Sequence, residues 1–350
     1  MRVKLLFLLF LPFFCLAQIP TYYTSIDFSQ TGNNLKNQLT TLITNTHTTF
    51  LPYTATGTTD TWDALYQTDL NPTNTNNVLL IYGWNDNDND FTNDYSRDKT
   101  LSCHTSSCSG LWQREHVFPR SLGTPNLGFE FAGSDAHNLR SIDSDRNGAR
   151  SNRMFEDSSS SVMSFITTLG NWYPGDEWRG DVARMIMYMY VRYPTQCAAT
   201  SVGAGSTTFS VDMPNVFLNW NVADPVSQYE LNRNNILQNI QGNRNPFIDN
   251  PYLATVIWNG PNAQNPWGSL SSNNQSIDNI SIYPTITKDI VHITNTNNQN
   301  YQYSIFNTLG QLIKTNTTTD IIDISNNSKG IYFINLQLEN QSKNFKVILN

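Results

Sequence analysis

A change of composition divides this chain of 350 residues into two unlike parts. Residues 262–276 are rich in Asn, Ser and Gly, a composition typical of linkers. Before them, apolar residues recur at helical spacing, as at Leu35, Leu39 and Ile43, whereas short alternating strands separated by turns follow them. The fold class predicted is therefore α+β. We expect a mixed helical and sheet domain over residues 18–267, a linker over 268–275 and a small β-sandwich over 276–350.

The amino terminus has the pattern of an export signal. Arg2 and Lys4 precede an apolar run, and the small residues Cys15 and Ala17 stand before Gln18. The run is too short to span a bilayer comfortably, and we predict no transmembrane segment. We interpret residues 1–17 as a signal peptide. The alternatives are a membrane anchor or a lipoprotein signal with Cys15 as acceptor.

Removal of the signal would leave three cysteines. Cys103 and Cys108 are five residues apart in a Ser/Thr-rich loop, and an oxidising compartment favours joining them. Cys197 would then be unpaired. The alternative is a zinc site using His104, although a structural zinc site needs four ligands.

The net charge of −7, which becomes −9 without Arg2 and Lys4, does not favour nucleic acid as a partner. Between residues 112 and 155, however, six arginines stand against five carboxylates. Any attraction for phosphate must therefore come from local placement of arginine and from a bound cation. The arginines are Arg114, Arg120, Arg140, Arg146, Arg150 and Arg153.

Most groups suited to chemistry lie within residues 112–152. Three short motifs contain them: Arg114-Glu115-His116, Asp135-Ala136-His137-Asn138-Leu139 and Asn147-Gly148-Ala149-Arg150-Ser151-Asn152. Together they supply an imidazole, a carboxylate, a carboxamide and guanidinium groups, the set that activates a water beside a cation and a phosphate. This combination indicates phosphodiester hydrolysis.

These motifs resemble those of the bacterial endonuclease I family, which are nucleases of the ββα-metal (His-Me finger) type. Residues 179–193 and 241–258 also resemble that family. The resemblance implies an endonuclease that hydrolyses DNA, with RNA as a further substrate. It implies that His116 is the general base, and that Glu115 and Asn147 bind one divalent cation. Mg²⁺ is expected, with Ca²⁺ or Mn²⁺ as alternatives.

The arginines of the motifs are the candidates for binding the substrate. Arg150 is expected to hold the scissile phosphate as a second catalytic residue, because its fork matches two oxygens. Arg114, Arg120 and Arg153 are expected to bind other parts of the nucleic acid. Gly133 stands where the family has a glutamate, so the part played by that carboxylate is missing or supplied elsewhere.

The sequence also predicts the local structure around these motifs. We expect a strand over residues 111–118 with Glu115 and His116 on opposite faces, so that a twist or bulge must bring both to one cation. Residues 129–131 would supply its pairing strand. Ser141 would cap a helix that runs to Arg150, with a close neighbour at Gly148. His137 and Asn138 either orient the hairpin or take part in chemistry.

The carboxy-terminal strands resemble the sorting domain of the type IX secretion system. The similar segments are Ile282-Tyr283-Pro284 and Lys329-Gly330-Ile331-Tyr332-Phe333, and the sequence departs from the family pattern at Thr285-Ile286. The resemblance implies the secretion machinery as a partner and a secreted or cell-surface location. No stable protein partner is inferred. The alternative is a carbohydrate-binding or spacer sandwich.

Two other functions remain open from the sequence. Asp86, Asp88 and Asp90 alternate as in a calcium loop, but Phe91 and Arg97 exclude an EF-hand. A looser calcium site together with the sandwich would suit a surface adhesin. A nucleic-acid-binding module without catalysis is the other alternative. An adhesin does not need Glu115, His116 and Asn147 together.

Overall fold

The computed structural model describes residues 19–105, 107–268, 280–294, 300–338 and 341–350. The chain forms two compact units, Met1–Leu270 and Ser271–Asn350. The predicted signal peptide and all of the predicted linker except residue 268 lie outside the described residues. Among the described residues, no helix is long and apolar enough to cross a membrane.

Eight α-helices form the larger part of the regular secondary structure in the described residues of the first unit. The predicted amphipathic helix is α1, and the next short helix begins at Asp60, whose carboxylate accepts hydrogen bonds from the backbone of Trp62 and Asp63. The helices are α1 Gly32–Thr46, α2 Thr61–Thr68, α3 Ser144–Arg150, α4 Arg179–Arg192, α5 Asn215–Ala223, α6 Gln228–Gln241, α7 Pro246–Asp249 and α8 Tyr252–Trp258.

Three small antiparallel sheets accompany these helices in the described part of the first unit. One has the strand order β1-β2-β3, and the others are the pairs β4-β5 and β6-β7. The strands are β1 Leu70–Asn71, β2 Asn74–Leu79, β3 Ser96–Asp98, β4 Trp112–His116, β5 Leu139–Asp143, β6 Phe165–Ile166 and β7 Trp172–Tyr173. The apolar run at residues 78–82 predicts a buried strand, but β2 ends at Leu79, and Tyr82 takes a positive φ of 71° where the chain turns.

The core of this unit surrounds α4. Apolar residues at helical spacing over residues 181–193 predict a core stripe, and of these Met185 and Met189 are buried while Tyr190 is partly buried. Helices α1 and α5 pack against α4. Burial of these large side chains supplies the main stabilisation.

A group of buried charges lies beneath the strand pair. Arg140 pairs with Asp181 (2.9 Å), and Arg184 pairs with Glu230 (2.6 Å). Arg233 pairs with Asp69, whose other carboxylate oxygen accepts a hydrogen bond from the backbone of Ser141 at 2.6 Å. Since an unpaired buried charge is costly, these pairs hold β5 at a fixed position relative to α4 and α6.

Two local predictions near the motifs are wrong. Residues 129–131 do not pair with β4, because Gly128 and Phe131 take positive φ values (66° and 48°) and the chain makes a short 3-10 turn there. The partner of β4 is β5. Ser141 is not a helix cap but lies inside β5. Asp143 caps α3 instead, and its carboxylate accepts from the N–H groups of Asp145 and Arg146 at 2.8 Å each.

The second unit is the expected β-sandwich. A three-stranded sheet, β13-β10-β8, and a five-stranded sheet, β12-β11-β14-β15-β9, share one apolar core. The sequence missed two strands, β9 and β12. The strands are β8 Ile282–Tyr283, β9 Ile286–Thr287, β10 Ile290–Ile293, β11 Tyr301–Asn307, β12 Leu312–Thr318, β13 Ile321–Asp323, β14 Gly330–Leu338 and β15 Gln341–Leu349.

Candidate active site

A polar cavity of about 520 Å³ lies at the end of β4. Five of the residues predicted for the site line it, namely Arg114, Glu115, His116, Arg120 and Asn147. Two predicted substrate contacts, Arg150 and Arg153, do not line it. The other lining residues are Tyr53, Gln113, Pro119, Ser121, Asn126, Ser151 and Asn152.

Two paired strands and the helix that follows the second strand place these side chains. Strand β4 runs antiparallel to β5 in continuous register from Trp112 opposite Asp143 to His116 opposite Leu139. The ladder therefore has no bulge of the kind predicted. Glu115 and His116 both border the cavity because it lies where β4 ends. Helix α3 starts directly after β5 and carries Asn147 to the same cavity.

His116 is held in one tautomer. Its Nε2 lies 2.8 Å from the carbonyl oxygen of Gly133, and since a carbonyl oxygen only accepts, Nε2 carries the proton. Nδ1 is then the nitrogen with a free lone pair. Burial, with Arg120 and Arg114 nearby, lowers the pKa of His116 to about 3 although the Gly133 bond raises it. The imidazole is therefore neutral at pH 7.

Gly133 reaches this position because it has no side chain. A Cβ there would lie 2.2 Å from the carbonyl oxygen of Gly128. The backbone of residues 128–133 thus folds tightly on itself and presents the Gly133 carbonyl to His116. At the position where the family glutamate is missing, the main chain orients the imidazole.

Glu115 is buried with few partners. Tyr82 donates a hydrogen bond to its Oε1 at 3.1 Å, and the Nε of Arg150 lies 3.2 Å from the same oxygen. Burial raises the pKa of Glu115 to about 7, against Arg150 and Tyr82, which lower it. A cation beside this carboxylate would favour its ionised form.

Arg150 differs from the prediction in its surroundings. It is fully buried, and it donates to the carbonyl oxygens of Val117 and Ser151 at 2.9 Å each, besides its ion pair with Glu115. The guanidinium also lies 4.6 Å over the ring of Phe155. Arg150 thus has no surface on the cavity for a phosphate, and its contacts are those of a residue that positions Glu115.

Asn147 has a fixed side-chain orientation. Its Nδ2 donates to Oε1 of Gln113 at 3.0 Å, which leaves the carbonyl oxygen Oδ1 as an acceptor. The expected close neighbour at Gly148 is absent, because a Cβ there would meet nothing within 4 Å. The surface of α3 beside Asn147 is open.

A hard divalent cation fits the oxygen donors of this cavity. Glu115 offers a carboxylate and Asn147 an amide oxygen, the ligand types that Mg²⁺ takes while it keeps several waters. Three or more His, Cys, Asp or Glu side chains arranged for a metal occur nowhere in the described residues. A site with one carboxylate and one amide does not need such a group.

The arginines that line the cavity are placed differently. Arg114 is sandwiched between the rings of Tyr53 and Trp62, with its Cζ 3.5 and 4.2 Å from their centroids, and it donates to Thr61 (2.8 Å) and Thr54 (3.1 Å). Arg120 has one longer bond, 3.4 Å to the carbonyl oxygen of Gly128. Arg120 is therefore the freer of the two to contact a phosphate.

His137 and Asn138 have structural contacts. Asn138 bonds to the backbone of Phe118 in both directions, accepting at 2.7 Å and donating at 3.1 Å. The Nε2 of His137 faces the carbonyl oxygen of Asn243 at 3.3 Å. Both side chains are buried, and they fasten the chain after β4 and before β5.

Cys103 and Cys108 form a disulfide, as predicted, with 5.5 Å between their Cα atoms. The zinc alternative is wrong, because both sulfurs are used in this bond. Cys197 is free and buried. The disulfide loop is joined to β4 through hydrogen bonds from Cys103 to Trp112 and from Leu111 to Cys108, each 2.8 Å.

The carboxylates of the acidic loop accept hydrogen bonds from the residues that follow it. Asp86 accepts from the backbone and the hydroxyl of Ser96 at 2.8 Å each, and Asp90 caps the turn at Thr92. Asp88 accepts from Asn93 at 3.1 Å. All three carboxylates of the loop thus accept hydrogen bonds from the protein.

Sequence reasoning missed three contributors to the site. Gln113 stands two residues before Glu115, on the same face of an alternating strand, so its place was predictable. Tyr53 and Gly133 come from segments that only the tertiary structure brings to His116. The ring of Tyr53 stacks on the imidazole with 5.5 Å between centroids.

Comparison with known proteins identifies the family of this chain. The Endonuclease I family matches residues 31–252, and a secretion system C-terminal sorting domain matches residues 281–350. The "Extracellular ribonuclease" of Bacillus subtilis (strain 168) is 37% identical over 255 residues, 69% of this chain and 80% of that protein. The "Extracellular ribonuclease" of Bacillus amyloliquefaciens is 36% identical over 256 residues, 69% of this chain and 79% of that protein. This chain belongs to the endonuclease I family, as a secreted or cell-surface nuclease that ends in a type IX sorting domain.

Proposed function

We propose that this nuclease hydrolyses internal phosphodiester bonds of both DNA and RNA with one divalent cation, Mg²⁺ in the first place. The observation that carries the proposal is the fixed tautomer of His116, whose ring lines one cavity together with Glu115 and Asn147. An adhesin or a non-catalytic binding module would have no use for such an arrangement.

His116 acts as the general base. Nδ1 takes a proton from a water while Nε2–H stays bonded to Gly133. The imidazole cannot rotate freely, since Tyr53 stacks on one face of it. The neutral state that its surroundings impose keeps the lone pair available at neutral pH.

Glu115 and Asn147 hold the cation. When bound, the cation stabilises the negative charge that develops on the phosphate and on the leaving oxygen. Arg150 and Tyr82 fix the Glu115 carboxylate from behind, and Gln113 turns the Asn147 amide so that its oxygen is free. Such outer contacts typically set metal affinity.

Arg120 binds a non-bridging oxygen of the substrate, and Arg114 supports it. The long bond of Arg120 to Gly128 is readily exchanged for a charge-assisted bond to phosphate. Arg114 is already engaged by Tyr53, Thr54 and Thr61, so it contributes charge and a rigid wall. Arg153 lies off the cavity and would meet only a longer substrate.

Both nucleic acids suit this chemistry. A base that activates water does not need the 2′-hydroxyl of the substrate, so DNA is not excluded. Two relatives named extracellular ribonuclease support RNA as a substrate. Contacts to phosphates carry no sequence information, so a polar cavity that binds phosphates favours cleavage at many different sequences.

The test is cleavage of supercoiled plasmid and of a long RNA by the secreted protein, with Mg²⁺ and with EDTA. We expect nicked and then linear DNA, fragmented RNA, and loss of both activities in EDTA that returns with excess Mg²⁺. His116→Ala prepared in parallel excludes a contaminating nuclease. Full activity in EDTA would refute the requirement for a divalent cation. Activity on only one nucleic acid would refute the proposal that both DNA and RNA are substrates.

A further inference from the structure

Three phenylalanines stand exposed beside the cavity. Phe50, Phe129 and Phe131 have 47%, 53% and 59% of their surface open to solvent. Large rings are normally buried, since exposing them forfeits the hydrophobic contribution to folding. Their clustering at one edge of the candidate active site needs a functional explanation.

The rings belong to two segments that touch each other twice. Phe50 meets Phe131 edge to face with 5.4 Å between centroids, and Tyr53 meets Phe129 at 4.9 Å. Tyr53 also lines the cavity and stacks on His116. We call Phe50, Tyr53, Phe129 and Phe131 the aromatic platform. It is continuous with the wall of the catalytic cavity.

The backbone under the platform is held in an unusual conformation. Phe131 has a φ of 48°, a region that residues with side chains rarely adopt. It begins the short turn that ends at Gly133, whose carbonyl oxygen binds His116. The same turn therefore displays an exposed ring and orients the general base. A ligand bound to the platform therefore lies at a defined distance from His116.

The charges around the platform match a nucleic acid strand. The Cζ of Arg120 lies 3.9 Å over the ring of Phe129, and that of Arg114 lies 3.5 Å over Tyr53. Glu130, between the two exposed phenylalanines, is also exposed and would repel phosphates. The rings themselves are therefore suited to flat, uncharged groups, while the arginines on the cavity side suit phosphates.

We propose that the exposed phenylalanines of the aromatic platform stack unpaired bases that flank the scissile phosphate, so that single-stranded nucleic acid is the preferred substrate. The proposal rests on the proposed nuclease function. Every base offers a flat face, so stacking requires no particular sequence. Bases inside a duplex already stack on one another, so the platform has no effect on them unless the strands open.

Binding to a short single-stranded oligothymidylate tests the proposal, measured by fluorescence anisotropy with the full chain in Mg²⁺. All proteins carry His116→Ala, and a gel afterwards confirms that the strand is intact. A second probe is an abasic strand of the same length, which keeps the phosphates and lacks the bases. Phe129→Leu with Phe131→Leu keeps apolar volume but removes two flat rings. We expect this double variant to lose about fivefold to a hundredfold in affinity for the oligothymidylate and almost nothing for the abasic strand.

Two controls sharpen the comparison. Phe131→Tyr keeps a flat ring and should keep the affinity. Phe209→Ala removes a phenylalanine that is 40% exposed in the same unit but does not line the cavity, and should change neither affinity.

The proposal is overturned if the double variant binds both strands as its parent does, or weakens both equally. It is also overturned if the double variant changes only the oligomeric state in sedimentation, since the platform would then be a protein interface. Failure of the unmodified protein to cleave any nucleic acid would count against the proposed nuclease function alone, because the binding comparison needs no cleavage.

Discussion

His116 and His137 stand in two motifs of the same site and share much of their local chemistry. Each directs Nε2 at a backbone carbonyl oxygen, at 2.8 Å from Gly133 and 3.3 Å from Asn243 respectively. Burial lowers the pKa of both, to about 3 for His116 and about 4 for His137. Neither the tautomer nor the direction of the pKa shift distinguishes them.

Their surroundings do distinguish them. His116 lines the cavity with Glu115 and Asn147, whereas His137 is 2% exposed and packs 4.4 Å from the ring of Tyr188. A water in the cavity can therefore reach the ring of His116, whereas His137 does not line that cavity. A buried histidine of low pKa is therefore a candidate base only where a cavity meets its unprotonated nitrogen.

His116→Ala should show the largest effect and so test the catalytic half of this comparison. We expect plasmid nicking to fall by about 10²–10⁴-fold, because a positioned base contributes that much. The thermal midpoint should change little. Initial rates together with circular dichroism measure both, and partial recovery with added imidazole would show that only the base is missing. Turnover at the wild-type rate would falsify the role of His116.

Asn147→Ala should weaken binding of the cation and leave proton transfer to His116 unaffected. We expect the Mg²⁺ concentration for half-maximal activity to rise by at least about 10–100-fold, since loss of a residue that only orients a metal ligand typically costs that much. Asn147→Asp keeps an oxygen donor and should retain Mg²⁺ binding. Gln113→Ala, which frees the Asn147 amide to turn, should give a smaller rise in the same direction. An unchanged Mg²⁺ titration in Asn147→Ala would remove this residue from the ligand set.

His137→Gln should affect stability more than catalysis. Loss of its buried contact with Asn243 should lower the free energy of unfolding by about 1–3 kcal/mol, measured by urea denaturation. The rate per folded molecule should stay close to that of the wild type. A loss of rate as large as in His116→Ala, without unfolding, would break the distinction between the two histidines.

The pH dependence of stability gives a second measure of His137. Burial holds its folded pKa near 4, below the ordinary value of 6.5, so the unfolded chain takes up a proton first as pH falls. The contribution of His137 to the free energy of unfolding is complete above pH 6.5 and is lost as the pH falls from 6.5 to about 4. The wild type should therefore lose more stability over this range than His137→Gln does. Parallel curves for the two proteins would contradict this.

Replacing both cysteines of the disulfide by serine should have a smaller effect. The two cysteines are five residues apart in sequence. A disulfide that closes such a short loop contributes at most about 2 kcal/mol to the free energy of unfolding. The loop leads into β4, so we expect a modest loss of nuclease activity and an intact core. Complete unfolding of the double variant at room temperature would show that the bond matters to the whole unit.

A chain ending at Trp267 should show the smallest catalytic effect. It keeps both histidines of the site and removes the second unit, which has its own apolar core. We expect unchanged nicking rates in the test tube, but retention in the cell envelope of the native host. Lost activity would assign the sandwich a part in holding the substrate, and normal secretion would show that it is not needed for sorting.

Much of this organisation was predictable from local patterns. Spacing identified α1 and α4, strand character before Pro119 identified β4, and the paired thiols in a short loop identified the disulfide. The motifs also indicated which residues gather at the cavity, including Glu115, His116 and Asn147. These features depend on neighbours in sequence, which is why the sequence determined them.

Pairing and burial were decided only by the tertiary structure. The sequence shows that residue 150 is an arginine, but not that Val117, Ser151 and Glu115 surround it and close it off from the cavity. It likewise does not show that β4 would pair with β5, or that the Gly133 carbonyl would orient His116. Each of these outcomes depends on segments that meet only when the core forms. A charged group that loses water on burial must then be paired with the polar groups that lie beside it. The sequence by itself determined the chemistry available at this site, and the packed core decided which groups face the substrate.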